Sequence, residues 1–241
     1  MILGIDTATA TASAALVENG KLLCEEVRSA PALSGNGSPN GRANHAEALL
    51  PLIDRLLDRA GVQLAGISAL AVSIGPGSFT GLRIGLSTVK GLAYGSETPV
   101  VGIPTLTAVA ARVNDREGFI CPFLDARKKE VYAALFRRQD GRLERATDDL
   151  VCAPERMVET AGGLVNNEPC LFIGDGARVY AKLIQDRLGE RCLLTLGESY
   201  PSTAAAVARL AEEKIGRQEF DPVGPLSPLY LRPSEAELKR K

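Results

Sequence analysis

The sequence predicts an α/β fold with two lobes, each a mixed sheet flanked by helices. A short apolar run at residues 70–74 leads through a glycine-rich turn into a helical pattern at Thr80–Ala93, which is typical of α/β units. The segment at residues 120–137 then repeats the start of the chain, at a constant spacing that aligns Asp125 with Asp6. Because 241 residues suffice for two hydrophobic cores, the repeat indicates a duplicated fold.

Each predicted lobe begins with a strand, an aspartate and a hairpin. The hairpin turn is Asn19-Gly20 in the first copy and Asp140-Gly141 in the second, and both pairs favour the positive φ angles of a two-residue turn. The second copy carries one more residue before its turn. We predict a first lobe at residues 1–104, a second lobe at residues 105–220, and a closing segment with a charged, disordered tail at residues 221–241.

The composition is that of an ordinary globular protein. Its 28 basic and 29 acidic residues leave a formal net charge of −1, so no bulk positive field draws the chain to nucleic acid or to an anionic membrane. It has no recognisable signal peptide, and no apolar run is long enough for a membrane helix. We expect reduced core thiols and a cytoplasmic location, because the five cysteines are odd in number and form no CxxC pair. They are Cys24, Cys121, Cys152, Cys170 and Cys192.

The glycine-rich turn is a candidate for one half of an anion-binding cleft. Gly75 and Gly77 permit the close approach of an anion, or of another backbone, to the start of the following helix. Asp6 and Thr7 end the first strand with an acidic and a hydroxyl side chain. This arrangement resembles the first phosphate loop of the actin/hexokinase/Hsp70 superfamily, which implies contact with phosphate. The equally weighted alternative is that Asp6 is buried and caps its own turn. The glycine spacing fits neither a Walker A loop nor a Rossmann fingerprint.

The other half of the candidate cleft lies in the second copy, at Asp125, Arg127 and Gly174. A phosphate loop needs small residues after the aspartate, whereas here Ala126 is followed by Arg127-Lys128-Lys129. The long side chains fill the space that a phosphate loop would use, although their charges leave anion binding possible. We favour a solvated, charged hairpin at this point.

Two helices carry more apolar surface than one sheet contact uses. The first covers Asn44–Arg59, with Asn44 as its predicted N-cap, and Leu52 widens its apolar stripe. In the second helix Gly81, Gly85 and Thr88 form a smooth flank that favours either tight packing on the parent sheet or the docking of a partner helix. Before the first helix, the stretch Pro31–Ala43 is rich in Gly, Ser, Asn and Pro and is predicted to be a flexible loop.

Five motifs, in order along the chain, resemble those of the bacterial TsaB (YeaZ) family: IDTATATASAAL, NHAEALLP, GPGSFTGLRIG, DAR-x-x-EVY and PLYLR. The resemblance implies an actin-like (ribonuclease H-like) fold. It also implies a role in making threonylcarbamoyladenosine (t6A) at adenosine 37 of tRNAs that read ANN codons. In that role the chain is a non-catalytic partner that binds and activates its paralogue TsaD.

The same resemblance implies the partners and the surface that meets them. TsaD forms a heterodimer with the chain, TsaE joins this assembly, TsaC is functionally linked, and the chain forms a homodimer when alone. Contact with tRNA is expected mainly through the complex, and ATP and metal belong to the partner subunits, so no cofactor is expected for this chain alone. The expected interface is a four-helix bundle that involves His45, Leu49, Leu52, Gly81, Gly85 and Thr88.

A catalytic role is disfavoured by the residues themselves. TsaD carries an HxxxH metal motif, whereas His45 is the only histidine here and the position four residues later is Leu49. We therefore predict no catalytic residue and no metal ligand, and we expect weak ATP binding or none. Two alternatives remain open: a nucleotide-binding transferase or kinase of the actin-like superfamily, and an inactive homologue of M22-type peptidases.

Overall fold

In the computed structural model of the chain, the described residues are 1–29, 45–195, 200 and 202–232. The predicted loop at Pro31–Ala43, the predicted cap Asn44 and the end of the charged tail lie outside these residues. The chain divides into two compact units. Unit 1 comprises Met1–Ala108 and Ser202–Leu229, and unit 2 comprises Val109–Pro201 and Tyr230–Lys241.

Unit 1 contains a five-stranded sheet in the order β3-β2-β1-β4-β5. The pairs β1–β2 and β2–β3 are antiparallel, while β1–β4 and β4–β5 are parallel. Its elements are β1 (Ile2–Asp6), β2 (Thr11–Glu18), β3 (Lys21–Ser29), α1 (His45–Ala60), β4 (Ala69–Gly75), α2 (Phe79–Tyr94), β5 (Val100–Pro104) and α3 (Thr105–Ala111), which runs across the boundary between the units.

Helices cover both faces of this sheet, because successive side chains of a strand point to opposite sides. Leu3 and Ile5 of β1 pack in one cluster with buried residues of α1 and α2. Ile2, on the other face, packs with the last helix of the chain, α7 (Thr203–Gly216). The predicted domain limits assigned residues 105–220 to the second lobe. The observed division differs because α7 returns to cover the first sheet.

Unit 2 contains a sheet in the order β10-β7-β6-β11-β12, with β8 pairing to β6 and to β9. Its elements are β6 (Gly118–Arg127), β7 (Glu130–Ala133), β8 (Phe136–Gln139), β9 (Arg142–Arg145), β10 (Leu150–Cys152), α4 (Pro154–Leu164), β11 (Cys170–Ile173), α5 (Asp175–Val179), α6 (Ala181–Leu188) and β12 (Cys192–Leu194).

The core of unit 2 contains buried aromatic and sulfur side chains. Phe123 and Phe172 meet edge to face, with ring centroids 5.7 Å apart. Cys121 and Cys170 are fully buried beside them, and burial raises the pKa of both thiols. All five cysteines are free thiols, as the sequence predicted, and three of them are buried.

The two sheets confirm the predicted duplication. In unit 1 the antiparallel hairpin β1–β2 stands beside the parallel strands β4 and β5; in unit 2 the hairpin β6–β7 stands beside the parallel strands β11 and β12. In both units a strand runs through glycine into a helix, β4 into α2 and β11 into α5. Among the described helices, none has the length and apolar character needed to cross a membrane.

Candidate partner surface and the two aspartate loops

Asp6 is completely buried at the end of β1. Its Oδ1 accepts a hydrogen bond from the amide of Ala8 at 3.3 Å, and its Oδ2 accepts one from the hydroxyl of Thr9 at 3.3 Å. A buried carboxylate is costly unless such donors satisfy it. These are the contacts of an aspartate that closes its own turn, which was one of the two interpretations left open by the sequence.

Thr7 joins the end of β1 to the first turn of α2. Its hydroxyl is buried and donates to the carbonyl oxygen of Gly81 at 2.7 Å. A Cβ atom added to Gly81 would lie 1.9 Å from the carbonyl oxygen of Thr7, and one added to Gly85 would lie 2.4 Å from its Oγ1. Both glycines are therefore needed for packing inside unit 1. The two glycines of the predicted smooth flank lie against Thr7, where a partner helix cannot reach them, whereas Thr88 is partly exposed.

In the glycine turn before α2, other segments of the same chain pack closely against the two glycines. A Cβ atom added to Gly77 would lie 2.4 Å from the carbonyl oxygen of Ala8, which accepts a 2.7 Å hydrogen bond from the amide of Ser78. Gly75 has a φ of 119°, and an added Cβ would lie 2.4 Å from the carbonyl oxygen of Leu229. The sequence left open whether an anion or another backbone approaches here, and in unit 1 chain segments lie at both glycines.

The interface predicted on α1 needs correction. Leu49 and Leu52 have no exposed surface, because both belong to the core under the sheet of unit 1. Leu50, one position along, is 55% exposed. His45 is half-buried at the start of the helix, and this burial lowers the pKa of its imidazole. Of the six predicted interface residues, the four with buried positions cannot meet a partner directly: Leu49, Leu52, Gly81 and Gly85.

The outer side of α1 and α2 forms a shallow groove of about 450 Å³. The guanidinium of Arg83 lies 4.0 Å from the ring centroid of Phe79, one helical turn before it. Thr88 is the one predicted interface residue that lines this groove. The other lining residues were not predicted, because polar and apolar side chains alternate there without a clear stripe. The lining consists of Ala46, Phe79, Thr80, Arg83, Ile84, Ser87 and Thr88.

In unit 2, Asp125 organises the turn that follows β6. Its Oδ1 accepts from the amide of Arg127 at 2.9 Å, and its Oδ2 lies 3.1 Å from the guanidinium of the same residue. The amide of Asp125 donates to Oδ1 of Asp175 at 3.0 Å. Burial is the main cause that raises the pKa of the Asp175 carboxyl. Sequence reasoning found Asp125 and Arg127 but missed Asp175.

Gly174 also serves packing in unit 2. Its φ is 124°, and an added Cβ would lie 2.7 Å from the carbonyl oxygen of Phe123. Arg232, from the PLYLR motif, donates to Oε2 of Glu130 and to the carbonyl oxygen of Ala126, both at 2.7 Å. The motif thereby ties together the two strands of the charged hairpin, a role that the sequence did not reveal.

The polar groups of the two aspartate loops are bonded within the chain. The two loop aspartates accept hydrogen bonds from their own turns, and the hydroxyl of Thr7 is committed to a backbone carbonyl. Within residues 1–29, 45–195, 200 and 202–232, no group of three or more His, Cys, Asp or Glu side chains is arranged to hold a metal ion.

The duplicated units, each with a hairpin beside parallel strands, define an α/β protein of the actin-like class. The family model described as TsaD, tRNA N6-adenosine threonylcarbamoyltransferase, matches residues 40–239. A curated relative named tRNA threonylcarbamoyladenosine biosynthesis protein TsaB, from Escherichia coli, is 30% identical over 96% of this chain and 94% of its own length. The chain belongs to the TsaB (YeaZ) family.

Two further comparisons agree with this assignment. A protein of the same name from Bacillus subtilis is 29% identical over 99% of this chain and 96% of its own length. A solved structure titled YeaZ from Pseudomonas aeruginosa superposes with a TM-score of 0.75 at 29% identity, and covers 95% of this chain and 99% of that one. Since both relatives match over nearly their whole length, the family assignment applies to both units.

Proposed function

We propose that this protein is a non-catalytic subunit in the synthesis of threonylcarbamoyladenosine in tRNA, and that it binds and activates a TsaD-type transferase. The names of its curated relatives support the pathway. One observation supports the mode of action: an exposed groove lies on α2 and the start of α1. Leu50, which is 55% exposed, follows the groove residue Ala46 by one helical turn and so lies on the same face of α1. TsaE and TsaC are proposed to act in the same process, and ATP and metal are proposed to bind the partner subunits.

The occupant proposed for the groove is the pair of matching helices on the transferase. The family model of the transferase covers α1 and α2 of this chain, so the two proteins share these elements. Two copies of one surface can pack about a twofold axis, and two paralogous surfaces can pack in nearly the same way. The same geometry allows a homodimer when the transferase is absent.

Leu50→Glu tests the proposed interface. Because Leu50 is 55% exposed, the substitution should change the free energy of unfolding by less than about 0.5 kcal/mol. At a dry interface the same carboxylate would be buried without a partner, and affinity for the transferase should fall on the order of a hundredfold. Affinity is measured by calorimetry with purified transferase, and function by a t6A assay with and without this chain.

The matched control is Leu164→Glu, which places the same charge on a leucine that is 44% exposed at the end of α4. This control should retain both binding and t6A formation. If Leu50→Glu is folded and binds the transferase as the control does, the partner docks on another surface. A t6A yield that does not depend on this chain would refute the proposed function as a whole. Tight binding of ATP to the isolated chain would favour the nucleotide-binding alternative.

A further inference from the structure

Three tight hairpins among the described residues have positive φ angles at both turn residues but differ in sequence. Asn19-Gly20 joins β2 to β3 with φ angles of 50° and 73°, and Asp140-Gly141 joins β8 to β9 with 53° and 73°. The third hairpin joins β6 to β7 through Lys128-Lys129, with φ angles of 54° and 61°. The preceding Arg127 also has a positive φ, of 65°.

The third turn is costly for the residues that form it. Two positive φ angles in succession are the reason why such turns favour Asn-Gly and Asp-Gly, which this chain uses elsewhere. A lysine has a Cβ atom and lacks the short polar side chain that makes this region tolerable for asparagine. Three successive left-handed residues without a glycine are therefore disfavoured by local physics. Strain of this kind is typical of sites where the side chains serve a function.

The surrounding contacts hold the turn in place. Arg232 bonds to Glu130 on one strand and to the carbonyl oxygen of Ala126 on the other, and Asp125 accepts from both the amide and the guanidinium of Arg127. The two acidic side chains of the hairpin, Asp125 and Glu130, are thus each paired with a guanidinium. Counting Asp175, whose Oδ1 accepts from the amide of Asp125, the hairpin and its clamp hold four basic side chains, Arg127, Lys128, Lys129 and Arg232, against three acidic ones.

All three cationic residues of the turn are exposed to solvent, and the side chain of Arg127 is 79% exposed. Lysine ammonium groups act as point charges toward phosphate, and arginine can bond to phosphate through two N–H groups. The two lysine ammonium groups, next to an arginine that is bonded to Asp125, fit a chain of closely spaced anions on a narrow, fixed turn. We propose that the turn Arg127–Lys129 contacts the phosphate backbone of RNA. The choice of RNA over an acidic protein segment rests on the proposed function, which brings a tRNA to this protein.

The variant Lys128→Asn/Lys129→Gly separates charge from fold, because it installs the turn that this chain already uses at residues 19–20. The turn should form more easily, so the thermal midpoint of unfolding should rise. The affinity of the isolated chain for unmodified tRNA, measured by fluorescence anisotropy at low salt, should fall on the order of tenfold. The slope of log K against log salt should become shallower by about two, one for each lost phosphate contact.

The control variant Lys21→Gln/Lys182→Gln removes two exposed lysines elsewhere and changes the net charge equally. Its tRNA affinity and salt slope should stay close to those of the unchanged protein. If the turn variant and the control bind tRNA equally, the proposal is wrong. It is also wrong if the unchanged chain has no measurable affinity for tRNA, or if the turn variant loses binding to poly-glutamate but keeps its binding to tRNA.

The measured affinity for tRNA does not depend on the proposed interface on α1 and α2. The turn variant should still bind the transferase with unchanged affinity, whereas Leu50→Glu should still bind tRNA. A variant that loses only tRNA affinity therefore tests the role of the turn. A variant that loses only transferase affinity tests the proposed function. Retained t6A synthesis at high tRNA concentration, with a higher KM for tRNA in the turn variant, would support both proposals.

Discussion

Substituting Gly81 by alanine tests the contact that joins β1 to α2. The new Cβ would lie 1.9 Å from the carbonyl oxygen of Thr7, more than 1 Å closer than atoms of this kind approach one another. Because the obstacle is backbone, the helix and the loop must separate, and the buried 2.7 Å hydrogen bond between Thr7 and Gly81 is lost. The lost bond costs about 1–3 kcal/mol and the displaced backbone about 1–3 kcal/mol. Alanine regains about 1 kcal/mol of helix propensity.

The expected net loss for Gly81→Ala is about 1–5 kcal/mol, and two further glycines of α2 provide the comparison. At Gly85 the added Cβ would meet the Oγ1 of Thr7 at 2.4 Å, a side-chain atom that can rotate away at the cost of its hydrogen bond. The net loss there should be smaller, about 0–2 kcal/mol. At Gly91 an added Cβ has no heavy atom within 4 Å, so alanine should stabilise by about 0.5–1 kcal/mol.

Urea denaturation followed by circular dichroism measures this series. The midpoints should fall in the order Gly91→Ala, unchanged protein, Gly85→Ala and Gly81→Ala, with similar m-values. A Gly81→Ala protein as stable as Gly91→Ala would refute the close approach of β1 and α2. A loss at Gly81 that persists when Thr7 is changed to valine would assign the effect to the backbone contact rather than to the hydrogen bond.

Two predictions concern titrating groups. Burial lowers the pKa of His45, so the unfolded chain binds the proton more readily and stability should fall as pH drops through about 6.5. His45→Gln should flatten this part of the profile, and His45→Ala should leave t6A formation within a few-fold of normal; loss of modification in a folded variant that still binds the transferase would contradict this. Burial raises the pKa of Asp175, so its ionisation opposes folding as pH rises through the folded-state pKa. Asp175→Asn should therefore be neutral or stabilising at pH 7 and lose this advantage in acid, and a destabilised variant at both pH values would show that the charge itself is required.

The duplicated architecture could be predicted from the sequence because its signals are local. A strand that ends in aspartate, a two-residue turn and a strand–glycine–helix unit each depend on a few adjacent residues. The position of α7 could not be predicted in this way, since its placement on the sheet of unit 1 depends on contacts with β1, which is almost the whole chain away. The spacing of apolar residues predicts that a helix has an apolar face, but it does not indicate which sheet that face will cover.

The candidate interface shows the same limit at the level of single residues. The apolar positions of α1 form a broad arc, and the sequence assigned Leu52 to its outer edge, whereas the structure buries Leu52 and exposes Leu50. A broad arc identifies a helix with two neighbours without telling which residues meet which neighbour. Likewise, Gly81 and Gly85 indicated that another group packs closely against α2. A glycine does not indicate whether that group belongs to the same chain or to a partner.

The contacts of Thr7 connect the loop after β1 with the proposed partner surface. In a phosphate loop a hydroxyl at this position would be available to a ligand, whereas here it donates to the carbonyl oxygen of Gly81. Gly81 lies on the inner side of the helical turns whose outer side presents Arg83 and Ile84 to the groove. The hydroxyl of Thr7 therefore helps to fix the position of α2. A surface built on a helix held in this way loses little conformational freedom when a partner binds, which favours affinity. This is a physical reason to propose the outer face of these helices as the surface that meets a partner.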